Sequence, residues 1–277
     1  MREMGPFVIA AVRVAAGVLV LSLLARGKLR RETPLAPREH LELAFLALLG
    51  IVGNQVLFIS GLFRSTATNA ALLSATIPVF TVALALLVGA DTPSRRRLVG
   101  VPLALCGALV LMNVERFDLT GRTLRGDLML VLNCLSYAGF LVAARGILRR
   151  RHPLAVTAWL FRYGAVPILF LALPTLAQFQ PAVITASGWA ALAAIVALPT
   201  VAAYALNTWA LARTGPSTTA IFFYLQPLFA AALAAAVLGE RPGPRTALGA
   251  LLIFAGVAVA TGPAFSRLAG RPPRQGV

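Results

Sequence analysis

The sequence predicts an all-α fold, a polytopic transmembrane helix bundle with an inverted internal repeat. Three observations predict it. Of the 277 residues, 59% are hydrophobic and only 12% charged, and the mean hydropathy is +0.84, whereas an ordinary soluble domain is about 25% charged. The apolar residues fall in runs near the length a helix needs to cross a bilayer. Residues 62–110 recur without a gap 149 positions later, with 15 identities over 49 positions. Pro78 meets Pro227 at that offset, Asp91 meets Glu240, and Gly100 and Gly107 meet Gly249 and Gly256. The same offset carries Arg13 onto Arg162. An apolar duplication of this kind points to two related halves with a pathway between them.

Nine spans follow, at about 6–25, 42–63, 69–89, 98–114, 127–146, 154–177, 188–212, 217–238 and 246–264. The joints RSTAT, TPSRRR, RTGPS and ERPGPR combine charge, Pro, Gly and hydroxyl residues, which stop and start helices. Ser217 in PSTT reads as a helix cap, and the tail 265–277 as a polar segment outside the bundle. Residues 1–114 form the first repeat and 127–264 the second.

Basic residues set the orientation. With the segment 26–40 in the cytoplasm, 16 Lys and Arg fall on that side and 7 on the other, while Arg13 and Arg162 lie inside spans. This positive-inside bias puts the carboxyl terminus in the cytoplasm and makes the helices of Arg13 and Arg162 run in opposite directions. The net charge of +16 sits in short juxtamembrane tracts, so nucleic acid is not an expected partner. The lipid bilayer is, and a second copy of the chain is allowed. Cys106 and Cys134 fall inside apolar runs and read as packing residues. No GxxxxGK motif occurs, and no metal site or cofactor is expected. His40 and His152 lie in basic loops and read as solvated.

Polar residues at membrane depth are costly unless they meet a partner or water. Asn54, Asn133, Tyr137, Tyr204, Asn207 and Gln226 are therefore the candidate solute contacts, with interhelical hydrogen bonding as the competing reading. Pro78 and Pro227 each remove a backbone donor and kink a span near its middle, which suits gating. Arg13 and Arg162 read either as snorkelling anchors or as contacts for an anionic solute. Asp91 and Glu240 sit at span ends, where a cap or a loop ion pair is expected. All nine acidic residues lie in loops or near span ends, so no mid-membrane carboxylate offers itself as a proton carrier.

An Arg early in one helix, then STATNAALLSATIPVFTVALALLVGADTPSRRRLVGVPLALCGALVL and its echo PSTTAIFFYLQPLFAAALAAAVLGERPGPRTALGALLIFAGVAVA, resembles the two EamA-type domains of the drug/metabolite transporter superfamily. In that family each half carries a Pro in its fourth helix, an acidic residue after it and a Gly-x6-Gly in its fifth. Family members usually have ten helices, and the counterpart of span 127–146 would precede Met1. The expectation is a chain lacking its first helix through truncation or a misplaced start, with a natural nine-helix variant as the alternative. The resemblance implies a secondary transporter of a small organic metabolite, an amino acid or derivative, by export across the bacterial cytoplasmic membrane. A carrier of nucleotide sugars or other phosphorylated solutes is the alternative within the superfamily, and a lipid-modifying membrane enzyme the alternative outside it.

Overall fold

The computed structural model describes residues 6–112, 123–177, 179, 181, 184–238 and 243–262. Among these, every regular element is helical. Among the described residues thirteen α-helices make up nine helical segments, seven of them long and apolar enough to cross a membrane. The first is α1 (Pro6–Arg31). The second runs through α2 (Pro37–Ala47), a π-helical stretch at Leu48–Gly53 and α3 (Asn54–Arg64). The third is split into α4 (Ala67–Ser74) and α5 (Ile77–Leu87), and α6 (Arg95–Leu111) is the fourth. The second half follows with α7 (Leu124–Leu148) and α8 (Pro153–Leu176). The seventh segment is α9 (Ala186–Ile195), a second π-helical stretch at Val196–Ala202, and α10 (Ala203–Thr214). The eighth is α11 (Pro216–Ile221), a 3-10 turn at Phe222–Leu225 and α12 (Gln226–Leu238), and α13 (Pro244–Thr261) is the ninth.

Two boundaries differ from the sequence expectation for local reasons. The first helix continues through the basic tract to Arg31, because Lys and Arg are good helix formers and cations suit a helix C-terminus. The second begins five residues early, at Pro37. Proline tolerates the first turn, and the Glu39 carboxylate accepts a 3.0 Å hydrogen bond from the Ala36 N–H. Ser217 is not the cap of its helix. That place belongs to Gly215, whose φ of 91° is strained for any residue with a Cβ. The tail 265–277 and Glu240 lie outside the described residues.

The repeat is visible in the irregularities as well as in the helices. Adding 149 to the first π-helical stretch lands within one residue of the second, and adding it to the break between α4 and α5 lands on the turn between α11 and α12. Counterpart helices also pack on each other. A Cβ on Gly256 would stand 2.4 Å from the backbone nitrogen of Ala104, and one on Gly107 would stand 2.6 Å from that of Ile253. The Gly-x6-Gly positions thus bring α6 and α13 into backbone contact, as small residues do where helices meet in lipid. Similarly α1 lies against α8, where Gly17 receives the ring of Phe161. Helix α7 packs on α3, α4 and α5.

Side chains from α1, α2, α7 and α8 form the larger core, including Val14, Leu21, Leu46, Phe140 and Phe161, and α6, α13 and the 222–225 turn form a smaller one. Leu87, Val166, Phe170 and Phe229 point outward, which costs nothing against acyl chains. A Gly256→Leu substitution is expected to destabilise the bundle by about 1–3 kcal/mol through overpacking, whereas Gly27→Ala, inside α1 with nothing within 4 Å, should raise stability by up to about 1 kcal/mol. Thermal unfolding of the detergent-solubilised protein measures both.

Candidate solute cavity

Proline cannot donate a backbone hydrogen bond, so the helical ladder fails one turn before it. At the first break the loosened backbone is held by tighter bonds. Thr76 N–H donates to the Leu73 carbonyl at 2.9 Å, and the Thr76 hydroxyl and the Cys134 thiol reach the same oxygen at 2.6 and 3.3 Å. At the second, the chain tightens into the 3-10 turn and resumes as an α-helix at Gln226, with Pro227 next. Both breaks border one cavity of about 400 Å3. Ser74 and Ala75 line it from the first half, and Phe223, Tyr224, Gln226 and Pro227 from the second. Leu62, Ala67 and Met112 place it toward the end of the bundle where α3 and α6 finish. Pro78 is buried and does not line it.

At the opposite end the helices are tied together around Asp91. Its largely buried carboxylate pairs with Arg145 at 3.0 Å and Arg97 at 3.4 Å, and accepts the Ser217 N–H at 3.3 Å. Arg145 also donates to the Ala90 carbonyl. Asp91 therefore joins the starts of α6 and α11 to the last turn of α7, and the loop ion-pair reading is the one seen. A second carboxylate, Asp127, accepts from the Ser65 hydroxyl at 2.5 Å and the Asn69 amide at 3.1 Å, near the cavity's own end.

The polar residues inside the spans serve the irregular backbone. A π turn loosens the ladder and exposes carbonyls to side chains. Around the first π-helical stretch, Ser136 donates to Leu49 O at 2.9 Å, Tyr204 to Gly50 O at 3.1 Å, and Asn133 to Asn54 O at 2.7 Å. Asn54 takes part through its backbone oxygen. Asn207 donates to the Tyr137 hydroxyl at 2.5 Å, and the Tyr137 ring stands edge-on to Phe223 with centroids 5.6 Å apart, behind the cavity wall. Among the six candidate contacts, Gln226 alone lines the cavity; Tyr137 and Asn207 back it through Phe223, and Asn54, Asn133 and Tyr204 brace the π-helical stretch.

Arg13 and Arg162 each find a hydroxyl on a neighbouring helix. Arg13 donates to Thr200 at 3.0 Å, and Thr200 passes the bond to Ile195 O at 2.9 Å inside the second π-helical stretch. Arg162 donates to Ser22 at 3.1 Å and lies over the Trp159 ring at 4.6 Å. Side chains lean toward a helix N-terminus, so Arg162 reaches along α8 toward its basic end, as a snorkelling residue would. Four residues have buried side-chain atoms with no protein partner among the described residues: both polar atoms of Gln55, Asn207 Oδ1, Ser217 Oγ and Tyr224 Oη.

A family model described as the EamA-like transporter family matches residues 1–113 and 124–262. The chain belongs to this family. An uncharacterized transporter of Archaeoglobus fulgidus is 30% identical over 224 residues, covering 80% of this chain and 76% of that one. The uncharacterized transporter YyaM of Bacillus subtilis is 27% identical, covering 78% and 72%. A solved crystal structure with 20% identity and a TM-score of 0.78 covers 93% of this chain and 89% of its own, and shares the fold. This EamA-like chain is therefore a multi-pass membrane protein related to named transporters.

Two site features escaped sequence reading in this EamA-like protein. Ser74, one turn before Pro78, carries no motif of its own, and Asp127 is only one of the acids near span ends. The hydroxyl and thiol donors at Ser136, Thr200 and Cys134 act on carbonyls that become available only where the helix departs from α geometry. Ser136→Ala and Tyr204→Phe are each expected to cost about 0.6 kcal/mol and no more than about 1.7, read from reversible unfolding in mixed micelles.

Proposed function

We propose that this protein is a secondary transporter that moves a small organic metabolite, an amino acid or a derivative, out of the cell by alternating exposure of the cavity between its two broken helices. The observation that carries this reading is the cavity itself. It lies between symmetry-related breaks, and its volume of about 400 Å3 falls in the range of small-molecule sites, about 300–1,000 Å3. Ser74, Tyr224 and Gln226 supply polar groups beside an otherwise apolar lining. That suits a solute with both characters. The lining residues carry no charge, which favours an unphosphorylated solute over a nucleotide sugar.

Asp91 with Arg145 and Arg97 forms the closed gate of this conformation, and the cavity faces the other end. Positive charge marks the gated end as cytoplasmic, so the state is outward-facing, with the carboxyl terminus inside the bacterial cytoplasmic membrane. Helices broken at mid-membrane allow the gate to open by bending at Pro78 and Pro227 rather than by separating whole spans. Asn54, Asn133, Tyr137, Tyr204 and Asn207 would shape the walls of the pathway, and Gln226 would touch the solute directly.

The test is flux. Proteoliposomes loaded with individual radiolabelled amino acids should show protein-dependent release for at least one of them. Gln226→Leu should then raise KM for that solute about tenfold, the loss of one good hydrogen bond, with normal insertion. Pro227→Ala should reduce transport more than insertion, and Asp91→Asn should increase labelling of cysteines placed at the gated end. No release of any amino acid or derivative would overturn the solute class. Gln226→Leu kinetics equal to the parent's would remove that residue from the pathway.

A further inference from the structure

We propose that a pocket between α1 and α8, at the arginine-rich end of the bundle, binds the phosphate of an anionic phospholipid headgroup. The pocket has a volume of about 340 Å3 and is walled by Ser22, Arg26 and Arg30 on α1 and by Trp159 and Arg162 on α8. Positions 22, 26 and 30 follow four-residue spacing, so α1 turns one face toward it. Three arginines border the same pocket. No carboxylate among the described residues pairs with Arg26, Arg30 or Arg162. Glu32 also borders the pocket, but its charge is engaged elsewhere: it accepts the His152 N–H at 2.6 Å and faces Arg151 at 3.8 Å.

The pocket is built rather than incidental. Arg162 is held by Ser22 on one side and by the Trp159 ring beneath it. Trp159 is itself stacked on Tyr163 with centroids 5.8 Å apart, and Tyr163 is hydrogen-bonded to His40. Residues 33–35 close the pocket from the aqueous side, and Arg151 pins that loop through Thr33 O at 2.6 Å and Pro34 O at 3.2 Å.

What makes the ligand a lipid rather than a soluble anion is the surface that continues from the pocket toward mid-membrane. Leu19 and Leu23 prolong the Arg26 face of α1 and are 62% and 60% exposed, while Val166 and Phe170 prolong the Arg162 face of α8 at 71% and 72%. A phosphate in the pocket would leave its acyl chains lying along this apolar track. Basic pockets between transmembrane helices at the cytoplasmic leaflet suit anionic headgroups, each nearby arginine being worth a factor of about five in affinity. The site is separate from the solute cavity, and the inference does not rest on the transport reading.

Trp159 supplies the reporter. In a Trp189→Phe, Trp209→Phe background it is the sole tryptophan. Reconstituted in phosphatidylcholine bilayers, this protein should be quenched by dibrominated phosphatidylglycerol at lower mole fraction than by dibrominated phosphatidylcholine. Arg26→Gln with Arg30→Gln should lower that preference roughly thirtyfold, while circular dichroism confirms an intact helical fold. Equal quenching by the two lipids in the parent would overturn the proposal. So would loss of the preference on adding 10 mM inorganic phosphate, about the concentration at which a soluble anion site would fill, because the ligand would then be a free anion. A preference that survives both substitutions would also overturn it, since the arginines would not be its source.

Discussion

Inside hydrocarbon there is no water to accept a stray N–H or carbonyl, so each backbone group must be bonded within the protein. A straight α-helix meets that condition unaided. This chain departs from it most clearly at the two π-helical stretches and the two proline breaks, and at the first of each a neighbouring helix supplies side chains. Ser136, Tyr204 and Asn133 serve the first π-helical stretch, Thr200 the second, and Thr76 with Cys134 the first break. The positions of α7 and α10 relative to the second span therefore follow from hydrogen-bonding need as well as from packing. The polar residues that look like a solute site in the sequence are largely the repair of an irregular backbone, and the cavity forms beside that repair.

The two halves are joined differently at their edges and at their centre. Between α6 and α13 the contact is backbone to backbone, made by Gly100, Gly107, Gly249 and Gly256, and any added side chain meets main-chain atoms. Around Asp91 the contact is electrostatic, a largely buried carboxylate shared by partly exposed arginines of α6 and α7 and by the start of α11. A fixed seam beside a releasable clasp is the arrangement that alternating exposure needs. In the transport cycle proposed above, the halves would rock about the glycine contact instead of sliding one past the other.

Much of this fold was legible in the sequence. The 149-residue offset, the apolar runs and the basic tracts pointed to the spans, while the Gly-x6-Gly pairs read only as a repeated motif until the structure put them between α6 and α13. Pro78 and Pro227 marked the breaks, and Asp91 the ion pair. The site was less legible, for a physical reason. Asn133 and Tyr204 have the composition of solute ligands, and only the geometry of residues 48–53 explains why they turn to carbonyls instead. The π-helical stretches themselves have no clear signature: Gly50 and Gly53 occur in one and Pro199 in the other, but similar residues lie in ordinary α-helix elsewhere in the chain. PSTT does open a helix, but the helix begins at Pro216, so the cap falls on Gly215 instead of Ser217, and the φ of Gly215 is a three-dimensional property.

The matching π-helical stretches carry a historical consequence. A π turn holds one residue more than the α turn it replaces, so a single-residue insertion into a regular helix would account for each stretch. The two occupy the same place in both halves within one residue, although the residues themselves have diverged from LLGIVG to VALPTVA. One insertion inherited twice accounts for this more simply than two independent ones. The bulge would then be older than the duplication, already present in the half-length ancestor, and retained through every later substitution around it.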